Sequence, residues 1–117
     1  MAATDSRIRV GVFGSGGWAC RTHMPNLQKL DVDIIALCDV REQATKQAAE
    51  EFDIPACYSD GYEMISAEPL DVLYSCVPAY ARTGVEAAAA RRGIHLFSEK
   101  PQSTSMSVAR EISAAVD

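Results

Sequence analysis

The stretch Ile8-Arg9-Val10-Gly11-Val12-Phe13-Gly14-Ser15-Gly16-Gly17-Trp18-Ala19 decides the fold. It begins as a largely apolar, β-branched run that stops at glycine, the pattern of a buried strand. A helix is expected from Gly17 to about Lys29, kinked or stopped early by Pro25, whose missing N–H opposes a helix interior. Between the two lies the spacing Gly14-x-Gly16-x-x-Ala19. There Gly14 permits a tight turn, Gly16 lets the backbone approach a pyrophosphate with no Cβ in the way, and Ala19 is small enough for the helix to pack on the strand. N–H groups of the first helical turn, around Ser15, Gly17 and Trp18, would face the phosphates. The alternative, a plain glycine-rich turn, gives no reason for a strand before it and a helix behind it.

Outward from this unit the alternation continues. Further strands are expected at 32–38, 56–58, 71–77 and 94–98, and helices at 41–52, about 60–65, 80–92 and 103–116. Strands that are apolar on both faces and separated by helices imply a parallel sheet covered on both sides, a doubly wound, Rossmann-like α/β fold. Such sheets bind ligands beyond the carboxyl ends of their strands. Those ends are Gly14 to Ala19, Asp39, Val77-Pro78 and Glu99-Lys100.

Composition narrows the partners. The 117 residues suffice for one domain, and 48% hydrophobic content supplies a core. Sixteen acidic against eleven basic residues give a net charge of −5, which argues against nucleic acid or an anionic membrane as partner. An anionic cofactor remains compatible, since backbone N–H groups hold phosphate without net positive charge. No run approaches the roughly 20 apolar residues that span a bilayer, so the cytoplasm is the expected compartment. Cys20, Cys38, Cys57 and Cys76 form no CxxC pair and the two histidines are far apart, so no metal centre is expected. Cys38 and Cys76 read as small buried hydrophobes, and Met24, Met64 and Met106 as core fillers.

Two groups at the strand ends carry chemistry. Asp39 lies 20 residues after Ala19, where an acid accepts hydrogen bonds from the adenosine ribose hydroxyls. Its charge would repel a 2′-phosphate, so NAD is expected over NADP, with Arg41 offering a cation that softens the preference. Glu99-Lys100-Pro101 follows the last strand. A Lys there could exchange a proton with a substrate hydroxyl; a surface Glu-Lys pair before a chain-stopping proline is the plainer reading.

With these residues in view the chain resembles the N-terminal domain of the Gfo/Idh/MocA oxidoreductases. The resemblance rests on Gly14 to Ala19, His23 with Pro25, Cys38-Asp39, and Gly93 through Pro101, and covers essentially the whole chain. It implies that Lys100 contacts the substrate and assists proton transfer, that Glu99 lies near the nicotinamide ribose, and that hydride passes between a sugar or polyol carbon and the nicotinamide. Ala79 and Arg82 depart from the family's usual Asn and His. The resemblance also implies a second, substrate-binding domain outside these residues, so that alone they would bind cofactor and turn over little. Apolar surface left for that domain would favour a homo-oligomer. His23 and His95 are expected to be structural, and Trp18 either packs or lies over the cofactor. A stand-alone nucleotide sensor without catalysis is the competing reading, and redox-assisted elimination or glycoside cleavage by a longer protein a third.

Overall fold

In the computed structural model, described for residues 7–17, 19–78, 84–99 and 105–117, five parallel strands form one sheet in the order β3-β2-β1-β4-β5. The strands are β1 (Ile8–Phe13), β2 (Val32–Cys38), β3 (Ala56–Tyr58), β4 (Val72–Ser75) and β5 (His95–Ser98). The helices are α1 (Met24–Gln28), α2 (Glu42–Phe52), α3 (Gly61–Ala67), α4 (Val85–Arg91) and α5 (Met106–Val116). This is the expected doubly wound α/β fold.

The period-two alternation of β1 builds both halves of the core. Val10 and Val12 join Met24, Leu27, Leu37 and Phe52 on the face covered by α1 and α2. Phe13 joins Cys38, Met64, Leu73 and Val85 on the face covered by α3 and α4. Burial, with the charges of Asp39, Asp60 and Glu63, pushes the Cys38 thiol up to about 12, so it acts as an inert small hydrophobe. Cys76 is half-buried, and Met106, expected in the core, is 66% exposed because α5 turns only Ile112 fully inward.

The helices depart from their expected bounds: α4 begins at Val85 and α5 at Met106, where 80 and 103 were expected. The first helix splits into a wide π-type turn, Ala19–His23, followed by α1, with Pro25 in the first turn of α1. Pro25 has no N–H to donate back into the preceding turn, so a regular α-helix cannot run through it. Helix α3 starts where Asp60 caps it, its side chain accepting from the Tyr62 N–H at 2.9 Å, but runs on to Ala67.

Candidate functional site

The strand order sets the carboxyl ends of β2, β1, β4 and β5 side by side, and the described site candidates fall along that row. At its centre Gly14 has φ +106°, and a Cβ there would lie 2.8 Å from the Val77 backbone nitrogen and 2.9 Å from the Cys76 carbonyl carbon. Only glycine fits. Its N–H donates to the Cys38 carbonyl at 2.7 Å, which ties the loop to β2 as well. Gly16 and Gly17 face outward. The nearest atoms to a Cβ on them would be guanidinium atoms, Arg41 Nη2 at 3.8 Å and Arg21 at 3.9 Å. Two arginines therefore flank the loop in an acidic chain. Arg21 was not legible beforehand, since a lone Arg on a helix reads as a solvent-facing residue. Ala19 is fully buried beneath the loop, as its size required.

Asp39, one residue past β2, is buried and saturated with donors. Its Oδ2 accepts from the Ser15 N–H at 2.8 Å, the Ser15 hydroxyl at 3.0 Å and Arg41 Nη2 at 2.9 Å. Its Oδ1 accepts from the Arg41 N–H at 2.9 Å and Arg41 Nε at 3.1 Å. Burial works against ionisation, but the hydrogen bonds from Arg41 and Ser15 outweigh it and hold the carboxyl well below the usual carboxylate range. A shallow cavity of about 280 Å³ opens beyond it, lined by Asp39, Thr45, Lys46, Cys57 and Ser59 among others. The Arg41 side chain is 61% exposed, so it can leave Asp39 without unpacking the core.

At the other end, Val77 is half-buried behind Gly14 and Pro78 is exposed. Glu99 donates its backbone N–H to the Ser75 carbonyl at 3.0 Å, which fixes it at the end of β5. Its carboxylate meets His23 Nε2, a contact across 76 residues of sequence. The His23 ring packs edge-on against Tyr74 and Phe97, with centroids at 5.7 and 5.4 Å, while Tyr74 and Phe97 stack at 4.5 Å. His95 stays on the exposed edge strand.

Trp18, Lys100, Ala79 and Arg82 lie outside the described residues. Among the described residues no group of His, Cys, Asp or Glu could hold a metal ion, and no helix is long and apolar enough to cross a membrane.

Comparison with known proteins matches residues 8–117 to the family described as an oxidoreductase family with an NAD-binding Rossmann fold. Myo-inositol 2-dehydrogenase of Thermotoga maritima is 30% identical over 85% of this chain and 30% of its own length. D-apiose dehydrogenase of Paraburkholderia graminis is 29% identical over 97% of this chain and 30% of its own. Among solved structures, the WlbA dehydrogenase of Chromobacterium violaceum, in complex with NADH and UDP-GlcNAcA, superposes with a TM-score of 0.87 at 25% identity, over 97% of this chain and 33% of that one. The chain thus spans about a third of the length of the relatives it matches.

Proposed function

Because the chain belongs to the Gfo/Idh/MocA oxidoreductase family, whose domain here is the NAD-binding Rossmann fold, we propose that these residues hold NAD for hydride exchange with a sugar or polyol. The observation that carries this reading is the fastening of Ser15 to Asp39 at 2.8 Å, which joins the glycine loop to the acid in one continuous edge. Gly14, Ser15, Gly16, Gly17, Trp18 and Ala19 form the pyrophosphate cradle, with Arg21 and Arg41 supplying the positive charge that the chain as a whole lacks. Asp39 and Arg41 receive the adenosine ribose. Val77, Pro78 and Glu99 border the nicotinamide half. NAD is preferred over NADP, because an ionised Asp39 repels a 2′-phosphate.

When bound, the nicotinamide supplies the hydride acceptor or donor. Lys100, next in sequence to Glu99, exchanges the proton of the substrate hydroxyl. The relatives are about three times as long, so we assign most of the substrate pocket to residues outside these 117 and expect these alone to bind cofactor with little turnover. The exposed side chains of Phe97 (44%), Met106 (66%) and Val116 (62%) leave apolar surface around β5 and α5, which favours self-association. The cytoplasm is the compartment we assign.

Isothermal titration of the purified chain with NAD and NADH tests the reading: saturable binding is expected, and no heat at millimolar ligand overturns it. Gly16→Val should remove binding while the circular dichroism spectrum stays unchanged, since a side chain there meets no protein atom closer than 3.8 Å at its Cβ. Size-exclusion chromatography with light scattering checks self-association; a monodisperse monomer at high concentration overturns that part.

A further inference from the structure

The wide turn Ala19–His23 sends two of its side chains in different directions. Arg21 returns to the glycine loop at Gly17, while His23 reaches the end of β5. What it meets there follows from strand alternation. Phe97 and Glu99 are two residues apart in extended chain, so both point to the face that carries the turn and α1. Ser98, between them, points to the opposite face, where its hydroxyl donates to Glu86 of α4 at 3.1 Å. Tyr74 lies beside Phe97 in register on β4. His23 therefore stands in a corner with two aromatic rings as walls and the Glu99 carboxylate ahead of it, its side chain only 13% exposed against 27% for Glu99.

We propose that His23 is a positioning residue for the nicotinamide half of the cofactor: it holds the Glu99 carboxylate in one orientation at the carboxyl edge. The inference rests on the proposed NAD site. A half-exposed glutamate carboxylate samples several rotamers in water. A donor held by two aromatic contacts removes that freedom before the ligand arrives. The same bond links the turn after the glycine loop to the last strand, so the two cofactor halves are gripped by one connected piece of structure.

The test separates the halves of the cofactor. NADH and ADP-ribose share the adenosine and pyrophosphate; only NADH brings the nicotinamide. In the 117-residue chain, His23→Phe keeps an aromatic ring against Tyr74 and Phe97 but removes the donor to Glu99. It should weaken NADH binding about tenfold and leave ADP-ribose binding within about twofold. His23→Gln, which restores an N–H donor, should recover most of the loss. Glu99→Ala should reproduce the same split, and adding His23→Phe to it should cause a smaller loss than His23→Phe causes alone, because the two changes share one interaction. Equal losses for both ligands, or no loss for NADH, overturn the positioning role while leaving the NAD reading intact. If His23→Phe fails to fold, His23→Gln is compared with the isosteric His23→Met, which lacks the donor, and equal NADH binding by the two overturns the positioning role. A wild-type chain that binds neither ligand overturns the NAD reading and this inference with it.

Discussion

At the end of β2 the Asp39 carboxylate is buried and takes donors from Ser15 and Arg41 on both oxygens. Three strands away along the same edge, the Glu99 carboxylate keeps 27% of its side chain exposed and meets the ring of His23. Both are acids one residue beyond a parallel strand, yet the first is assembled from neighbours in the loops beside it and the second from a partner 76 residues distant. In the proposed site the contrast suits two different tasks. A nucleotide's adenosine end is the same in every turnover and can be met by a preformed, closed set of bonds. The end where chemistry occurs must remain open to substrate, and its acid is oriented without being enclosed.

Gly14 lies between the two ends and offers the harshest way to break the comparison. Any side chain there meets the backbone of Cys76 and Val77 and must also adopt φ +106°. Gly14→Ala should cost about 3 kcal/mol or more, lowering the melting temperature by about 10 °C. Binding of NADH and ADP-ribose should fall together, because the loop serves both halves. A melting temperature within about 2 °C of wild type, followed by circular dichroism, would show that the loop can relax and that the two ends are not joined through it.

The next test sets one acid against the other. Asp39→Asn places an amide N–H where the Ser15 N–H and Arg41 present donors, and should cost about 2 kcal/mol at pH 7 in urea unfolding. Glu99→Gln, half-exposed and still able to accept, should cost less than about 1 kcal/mol. The pH dependence sharpens the point. Asp39 is held below its ordinary value of 3.8 in the folded chain, so its stabilisation is complete above that pH and is lost as pH falls through the folded value. The gap between wild type and Asp39→Asn should therefore narrow below about pH 4. A gap that stays constant from pH 7 to pH 3 would mean that the carboxylate charge plays no part in closing the β2 end.

These differences also mark what could be read in advance. Gly14, Gly16, Ala19 and Asp39 follow from local spacing, because a strand, a tight turn and the end of the next parallel strand occur at fixed distances along the chain. The sheet itself was legible for the same reason, its strands being apolar on both faces. His23 was not. On a helix it reads as a structural histidine, and only the register of β4 with β5, together with the turn that Pro25 forces open, brings it to Glu99. Arg21 was missed because a lone Arg on a helix reads as a solvent-facing residue, although its place four residues after Gly17 brings it beside the loop. Met106 failed in the opposite sense: an apolar side chain at a helix start reads as core, but α5 leans on α4 and leaves that end outside.

The smallest expected effect concerns Arg41, at the end proposed for the adenosine. Its guanidinium occupies the carboxylate that a ribose would need, yet it is 61% exposed and close to Gly16, so it can swing toward an incoming nucleotide without unpacking the core, the ribose hydroxyls replacing its bonds to Asp39. Arg41→Ala removes a competitor for Asp39 and, with it, a cation beside the site. For NADH the two changes oppose each other, and affinity should shift by less than about threefold; for NADPH the cation is lost to a 2′-phosphate, and affinity should fall about fivefold. Parallel fluorescence titrations of wild type and variant with the two reduced cofactors read the ratio directly. An unchanged ratio would place Arg41 as a fixed brace of Asp39, making the β2 end more rigid than its solvent exposure suggests. A fall confined to NADPH would show instead that even the β2 end keeps one movable part, and that this part sets how strictly the site refuses the extra phosphate.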